Sequence, residues 1–293
     1  MANRDFLILI ALMFLWGVNF IAIKIGADQF DPLLLTALRF TFAALPIIFF
    51  IKRPKVHWGW LLAYGTTFGL GVWGMMVWSI SLGLSAGMAG LLLDMSIVFS
   101  LVLAVFVLKE KAGWPQWAGV ALAVVGLLMA LQVQDGSVPL AVLPLTLIAA
   151  LSWSLMTLVV KQSGTKDVFA FSVWGMAMAA VVLLIAAFTR SGTDLFNAQL
   201  LAQFNKGVWF SILFQAYPTT LLGYWVWNRM TLKYGVSKVS MFPVLTPVFG
   251  MLASVVIYGE QIDAWKIAAF TMILTGFACY QFRPTRYSLS KSS

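Results

Sequence analysis

Two charged side chains, Asp94 and Arg39, lie deep inside apolar stretches of the sequence. A charged group near the centre of a bilayer costs about 3 kcal/mol or more to insert, so such groups usually face a partner or a water-filled cavity. The Asp94 carboxylate could hold the ammonium group of a substrate or exchange a coupling proton. At about 1.5 Å per residue along a helix, both residues lie about 12 Å below the same edge of the membrane. A salt bridge between them is therefore expected, which would either hold two helices together or take part in binding.

Aromatic and polar side chains at a similar depth complete the first half of the predicted site. Asn19 lies about 10 Å from the outer edge of its apolar stretch. Trp16 and Phe20 are close to it in the sequence, and Trp73 and Met76 reach a similar level. These side chains would form an aromatic, amphipathic wall beside the buried carboxylate. The alternative is plain packing, because 13 Trp and 23 Phe place aromatic rings on every helix face.

A polar and aromatic stripe marks the second half of the chain. Its members recur at helical spacing on one face of a single apolar stretch, and they are Tyr217, Thr220, Tyr224 and Asn228. Such a stripe faces a neighbouring helix or a central cavity rather than lipid. A further candidate for substrate contact is Trp153, which precedes Met156 and Thr157 on another apolar stretch.

Membrane-spanning helices are needed to position these side chains. The chain has 293 residues, of which 61% are hydrophobic and 10% charged, and its mean hydropathy is +0.93. Soluble domains carry about 25% charged residues, so an ordinary soluble protein is excluded. A helix crosses the hydrocarbon layer with about 20 apolar residues. This length predicts ten spans, at 6–26, 31–51, 58–80, 86–108, 114–131, 139–160, 167–188, 206–228, 236–258 and 263–281.

The distribution of positive charge predicts the orientation of these spans. Most of the 19 lysines and arginines lie at the N-terminus, in alternate loops, and in a C-terminal tail that contains Arg283, Arg286 and Lys291. The opposite loops contain only Lys24, Arg190, Lys206 and Lys266. Because lysine and arginine accumulate on the cytoplasmic side, both termini are expected in the cytoplasm. The net charge of +9 is therefore interpreted as a topology signal and not as a nucleic-acid binding surface.

Similar short motifs recur in the same order in the two halves of the chain. The matched motifs are Trp16 and Lys24 with Trp153 and Lys161, residues 63–67 with residues 216–220, and residues 108–111 with residues 258–261. We infer two five-helix repeats, residues 1–134 and residues 135–293, the second ending in a short basic cytoplasmic tail. Because five is odd, the second repeat enters the membrane from the opposite side. Inverted repeats are typical of secondary transporters, which bind substrate between the repeats and work by alternating access.

Motifs for other kinds of chemistry are missing from the sequence. No glycine-rich phosphate loop ends in Lys-Ser or Lys-Thr, so ATP-driven transport is not expected. The single cysteine, Cys279, and the single histidine, His57, exclude a disulfide framework and a His-rich metal site. One buried carboxylate offers neither a nucleophile–base pair nor a set of metal ligands. We therefore expect no enzymatic activity, no metal and no cofactor.

Several of these motifs resemble one transporter family. The stretch Trp16-Gly17-Val18-Asn19-Phe20 with Lys24 is similar to the first-span motif of the EamA group of the drug/metabolite transporter superfamily. Leu38-Arg39-Phe40 is similar to the second-span signature of that group, as are apolar spans that end in Glu110 or Glu260. Within the group, residues 48–50 and 53–56 resemble the bacterial exporters of O-acetylserine and cysteine. Asp94 departs from that subgroup, in which a neutral polar residue is expected.

The resemblance implies ten transmembrane helices in an inverted five-plus-five fold, all-α and located in the bacterial inner membrane. It also implies export of amino acids or related small metabolites, so the expected partners are a small-molecule substrate and the lipid bilayer. One acidic residue is compatible both with proton coupling and with facilitated diffusion.

Two alternative functions stay open at the level of sequence. The first is a multidrug exporter, in which aromatic rings attract lipophilic cations and Asp94 neutralises their charge. The second is a non-transporting membrane receptor or assembly factor, which would have no need of an inverted repeat.

Overall fold

The apolar stretches of the sequence form helices close to the predicted ranges. The computed structural model describes residues 1–192, 199–239 and 242–281, and within these ranges all regular secondary structure is helical. The main helices are α1 (Asn3–Ala27), α2 (Pro32–Ile48), α3 (Trp58–Ser81), α4 (Ala86–Val107), α5 (Trp114–Ala130), α6 (Leu140–Gln162), α7 (Val168–Ser191), α8 (206–234), α9 (Phe242–Tyr258) and α10 (Ala264–Gln281). Short helical segments lie at Gln199–Gln203 and Val236–Val239. The predicted basic tail with Arg283, Arg286 and Lys291 lies outside the described residues.

The length and composition of these helices identify a multi-pass membrane protein. Among the described residues, α1, α3, α4, α6 and α7 are long and apolar enough to cross a membrane. The helices α2, α5, α9 and α10 are shorter but also apolar. That all ten predicted spans cross the bilayer, and that both termini lie in the cytoplasm, stay predictions.

Short polar side chains define where several helices begin. Asp31 accepts hydrogen bonds from the backbone N–H groups of Leu33 and Leu34 at 3.0 and 2.8 Å, and Pro32 occupies the first position of α2. Ser85 caps α4 and Asp167 caps α7 in the same way. These caps satisfy N–H groups that have no partner within the helix, which is why the chain turns into a helix at these residues.

Two local irregularities recur at positions that the predicted repeat aligns. A π-helical segment interrupts α3 at Gly65–Gly74, and another interrupts α8 at Gln215–Leu222. After α4 and α9, the backbone takes left-handed φ angles, 54° at Lys109 and 66° at Gly259. π-helical segments are rare and are frequently found at functional sites. The division of the chain at residue 134 itself stays a prediction.

Helices of the first half pack mainly against helices of the second half. The principal pairs are α1 with α8 and α9, α2 with α7, α3 with α6 and α7, α4 with α6 and α9, and α5 with α10. The backbones of α5 and α10 approach closely, because a Cβ atom at Gly119 would lie 2.5 Å from the backbone oxygen of Gly276. Small residues allow such backbone approach in membranes, where helices gain little from burying apolar surface. The interface between the two halves is therefore continuous.

Candidate functional site

A cavity of about 230 Å³ lies between the two halves of the chain. Tyr64 and Phe68 of α3 line it from the first half, and residues of α6, α7 and α8 line it from the second. A neighbouring hollow shares Phe169 and Asn228 with the cavity and continues past Leu232, which is 90% exposed. The cavity therefore lies toward the end of the molecule where α8 ends and α7 begins. In the predicted orientation this is the cytoplasmic end.

The cavity wall is aromatic and uncharged. The ring of Phe68 lies 5.1 Å from that of Tyr64, 6.1 Å from Tyr224 and 6.4 Å from Trp153, measured between centroids. Hydroxyl groups of Thr157, Ser172 and Thr220 and the amide of Asn228 supply the polar part of the lining, which includes no charged residue within the described chain. Such a mixture suits a small organic molecule that is held by ring contacts and a few hydrogen bonds.

Two of the three π-helical segments in the described chain, those of α3 and α8, contribute directly to this wall. Phe68 lies in the segment of α3, and Thr220 and Leu221 lie in the segment of α8. Within the α8 segment, the Thr220 hydroxyl donates a hydrogen bond to the Gln215 backbone oxygen at 2.7 Å. The irregular turns thus bring specific side chains to the cavity from both halves.

Arg39 lies directly behind the cavity wall and is only 2% exposed. Its guanidinium donates to the Thr220 hydroxyl at 3.1 and 3.3 Å and to the Gln215 side-chain oxygen at 3.2 Å. The same guanidinium lies over the ring of Trp73, 4.2 Å from the centroid. Arg39 therefore connects α2 to the π-helical segment of α8.

The predicted salt bridge between Arg39 and Asp94 is wrong. Within the described chain, neither residue takes part in an ion pair, and the partners of Arg39 are neutral. Equal depth in the membrane gives the position of two side chains along the membrane normal, but it does not show that their helices are neighbours. The helix that carries Arg39 packs mainly against α7, α3 and α8, whereas the helix of Asp94 packs against α9, α6 and α1.

Asp94 lies at a break in α4. The helix stops at Leu93 and resumes at Ser96, and the Oδ2 atom of Asp94 is buried without a hydrogen-bond partner. One turn earlier, the ring of Phe20 packs against Gly90. The Phe20 ring is also close to Trp73, at a centroid distance of 6.4 Å. Phe20 therefore contacts both the helix of Asp94 and Trp73, the ring on which the Arg39 guanidinium stacks.

Trp16 and Asn19 hold α1 against α8. The Trp16 indole donates to the Thr219 backbone oxygen at 3.0 Å, and the Thr219 hydroxyl donates to the Asn19 side-chain oxygen at 3.1 Å. Trp16 also packs against two cavity-lining rings, those of Tyr224 and Trp227, at 5.7 and 5.6 Å. In this conformation Trp16 supports the wall from behind, and Asn19 makes a helix contact.

The expected stripe on α8 is divided between two surfaces. Thr220, Tyr224 and Asn228 line the cavity, whereas Tyr217 is 38% exposed and is not part of the lining. The π-helical hydrogen-bonding pattern inserts a residue into the turn, so the regular spacing of three to four residues does not continue through it. Of the predicted site residues, Trp153 and Tyr224 line the cavity in this conformation.

The contribution of α7 and of the start of α3 was missed from the sequence. Phe169, Ser172 and Met176 lie on one face of α7 and line the cavity, as do Tyr64 and Phe68 of α3. A signal was present, because the α7 residues recur at intervals of three and four. Tyr64 lies within residues 63–67, the motif that is matched with residues 216–220 in the second half.

The opposite end of the molecule contains a buried ionic cluster. The ammonium group of Lys266, fully buried, donates to Asp135 at 2.5 Å and to the Gln261 backbone oxygen at 2.9 Å, and Glu260 lies 3.9 Å away. The Glu260 carboxylate also accepts a hydrogen bond from Ser254. Burial raises the pKa of Asp135, but hydrogen bonds from Lys266 and Ser137 outweigh burial and hold this pKa below its ordinary value.

The ionic cluster is connected to the first half of the chain. The Ser85 backbone N–H, at the start of α4, donates to the Ser137 backbone oxygen at 2.9 Å. Gly87, on the first turn of α4, lies against the Glu260 carboxylate. The segment between the two halves, the start of α4 and the start of α10 are thus tied together at this end.

Comparison with known proteins finds relatives along the whole chain. The model of the EamA-like transporter family matches residues 4–132 and 140–280. A probable amino-acid metabolite efflux pump of Salmonella typhimurium is 31% identical over 282 residues, which cover 94% of each chain. A probable amino-acid metabolite efflux pump of Escherichia coli is 28% identical, again over 94% of each chain.

A similar fold is also found among solved structures. One crystal structure is similar to this chain with a TM-score of 0.63 at 19% identity, and the match covers 95% of this chain and 96% of the other. At this identity the likeness concerns the fold alone.

Proposed function

Because the chain belongs to the EamA-like transporter family, we propose that it is a bacterial inner-membrane secondary transporter that exports amino acids or related small metabolites, including compounds of cysteine metabolism. The family resemblance inferred from the sequence is thereby confirmed, and the chain is a multi-pass membrane transporter. The names of the two relatives support an amino-acid metabolite as substrate.

The cavity between the two halves is the observation that carries this proposal. It is lined from both halves, it is uncharged and aromatic, and it lies at one end of the molecule. The other end is tied together by Lys266, Asp135 and Glu260. This arrangement supports alternating access, in which residues 1–134 and 135–293 act as inverted repeats that rock around a central site.

We assign roles to the candidate residues as part of the same proposal. Trp153 and Tyr224 contact the substrate from the cavity wall, and the residues behind that wall become accessible as the halves move. The residues of this second group are Trp16, Asn19, Phe20, Arg39, Trp73 and Asp94. The Asp94 carboxylate either holds the substrate ammonium group or exchanges a proton that couples transport to the proton gradient.

The direct test is export from cells that overproduce the protein. Cells with wild-type chain, an empty vector or the Asp94→Asn variant are loaded with amino acids, including cysteine and O-acetylserine, and the medium is sampled over time. We expect wild-type cells to release one class of amino acid faster than the vector control, and Asp94→Asn to reduce that release about tenfold or more. Asp28→Asn, the same change on a carboxylate that is 43% exposed in a loop, is the matched control.

A multidrug exporter is the second candidate, and the aromatic wall is the observation that favours it. Rings such as those of Phe68, Tyr224 and Trp153 can bind an organic cation by its attraction to the ring face. Resistance to quaternary ammonium dyes in the overproducing cells, without release of any amino acid, would support this candidate against the first. Release of an amino acid without dye resistance would exclude it.

A further inference from the structure

Arg39 is a buried cation without an anionic partner. The side chain is 2% exposed, and its acceptors, Thr220 and Gln215, are both neutral. Within the described ranges, the ion pairs involve other acidic residues, namely Asp5, Asp28, Asp31, Glu110, Asp135 and Glu260. Removing an ion from water costs several kcal/mol, so a buried arginine is normally paired with a carboxylate. The neutral surroundings of Arg39 therefore need an explanation.

A donor without an acceptor lies on the tryptophan ring that the guanidinium stacks on, that of Trp73. The Nε1 atom of Trp73 is buried without a hydrogen-bond partner, and the residue is only 7% exposed. A buried indole N–H usually finds an acceptor. Arg39 lies 4.2 Å from the centroid of this ring, so a cation without an anionic partner and an N–H group without an acceptor are neighbours. A carboxylate, with two oxygens that only accept, has the chemistry to satisfy both.

These donors are separated from the cavity by a single layer of side chains. Thr220 lines the cavity and at the same time accepts from Arg39, and Phe68 lines the cavity and packs edge-on against Trp73 at 6.4 Å. Both intervening residues belong to π-helical segments. Thr220 therefore contacts both the cavity and the guanidinium.

We propose that Arg39 and Trp73 form the half-site that recognises a carboxylate group of the exported substrate, an inference that rests on the proposed export function. The substrate carboxylate replaces Thr220 and Gln215 as acceptor of the guanidinium N–H groups and accepts from the Trp73 indole. A lipophilic cation gains nothing here and is repelled by Arg39. The half-site therefore selects carboxylates over cations of the same shape.

The position of Asp94 fits the same assignment. Its buried Oδ2 atom lacks a donor, whereas the Trp73 indole lacks an acceptor and Arg39 has only neutral acceptors. Phe20 contacts Gly90, one turn before Asp94, and its ring centroid lies 6.4 Å from that of Trp73. An amino acid carries an ammonium and a carboxylate, and so supplies what each group lacks.

The test compares molecules that differ only in the carboxylate. Purified full-length protein is mixed with L-cysteine or cysteamine, and with L-phenylalanine or phenethylamine, and binding is measured by calorimetry. Transport of whichever amino acid binds is then followed in inside-out vesicles. We expect each amino acid that binds to do so at least about tenfold more tightly than its amine, because a hydrogen bond to a charged group is worth about 1.5–3 kcal/mol.

Three variants test whether Arg39 and Trp73 cause the preference for an amino acid over its amine. Arg39→Gln should raise the KM for the amino acid about 10- to 100-fold and leave weak binding of the amine unchanged, and Arg39→Lys should keep part of the preference. Trp73→Phe removes one N–H and keeps the ring, so a rise of about 3- to 10-fold is expected. Trp265→Phe, at a tryptophan that is 48% exposed, is the matched control and should match wild type.

The outcomes separate this inference from the proposed function. Export of an amino acid with equal binding of its amine would overturn the carboxylate half-site alone. So would a folded Arg39→Gln variant, judged by its thermal unfolding midpoint, that keeps the preference. Should Arg39→Gln not fold, an unchanged KM in Trp73→Phe overturns the inference instead. If neither amino acid binds and quaternary ammonium dyes do, the proposed function and the half-site fail together.

Discussion

The two ends of the helical bundle differ in where their charged groups lie. The ion pairs at the cavity end, Lys161–Glu110 and Lys233–Asp5, join the two halves and include exposed lysines, whereas the cluster at the other end is built around a fully buried lysine. At the cavity end, Phe68, Tyr224 and Trp153 meet through aromatic contacts around an open space. At the other end, Lys266 is fully buried between Asp135 and Glu260, and Ser85 is bonded to Ser137. Aromatic contacts adapt to a small molecule of variable shape. A charge cluster holds one geometry and loses most of its strength once water enters.

This difference indicates how a two-sided transporter could keep one side closed. The ionic cluster joins the segment before α6 to the start of α10, and α4 contacts it through the Ser85–Ser137 hydrogen bond and through Gly87. These two contacts of α4 must therefore open before α4 separates from α10. The cavity wall contains no charge within the described chain, and it can close on a substrate without desolvating ions. Each of the following substitutions tests one end against the other.

Removing the central ring of the cavity wall should have the largest effect on stability. Phe68 is fully buried and contacts five other aromatic rings, those of Phe40, Tyr64, Trp73, Trp153 and Tyr224. We expect Phe68→Ala to lower the free energy of unfolding by about 3–5 kcal/mol, measured in detergent with a chemical denaturant. Phe106→Ala, at a ring that is 69% exposed, is the control. Equal losses in the two variants would show that the wall is not held by packing.

Removing the buried cation should have the next largest effect, at the opposite end. Lys266→Met keeps the length of the side chain but leaves Asp135 and Glu260 without their cation. The expected loss is on the order of 3 kcal/mol, because breaking a buried pair leaves uncompensated charge. The control is Lys206→Met at an exposed lysine. The idea of an ionic closure fails if both variants unfold at the same denaturant concentration.

Acidification should weaken the same end. Asp135 has a pKa below its ordinary value of 3.8, since hydrogen bonds from Lys266 and Ser137 outweigh burial. A lowered native pKa gives stability that is complete above the ordinary value and is lost as the pH falls through the native value. We expect wild type to exceed Asp135→Asn by up to about 1 kcal/mol at pH 5–7, and the difference to shrink below about pH 4. A difference that grows on acidification would have the wrong sign.

The sequence predicts the helices well and the contacts between them poorly. Helix starts follow from local chemistry, as at Asp31 and Ser85, where a short polar side chain precedes an apolar run. The family follows from motifs of adjacent residues. The partners of Arg39 cannot be predicted from adjacent residues, because they depend on which helix packs against α2. The depth of Arg39 in the membrane does not determine that neighbouring helix.

Two further features could not be derived from spacing. Tyr217 is turned to the surface by a π-helical segment that regular helical periodicity does not anticipate. Lys266 looks like an ordinary loop cation in the sequence, yet it is fully buried because Asp135, distant in the chain, folds against it. In each case the information lies in long-range packing.

The smallest effect is expected for the more exposed of the ion pairs at the cavity end, Lys161–Glu110. Lys161 and Glu110 lie 3.1 Å apart, but their side chains are 62% and 46% exposed. An exposed pair gains little, so Lys161→Met should change the free energy of unfolding by less than about 1 kcal/mol. Because 0.5 M NaCl screens an exposed pair, the salt should change the difference between variant and wild type by no more than the same amount. Measured beside Lys266→Met under the same conditions, this variant isolates burial as the variable. If Lys161→Met costs as much as Lys266→Met, charge pairs close both ends alike, and the contrast between an aromatic end and an ionic end does not hold.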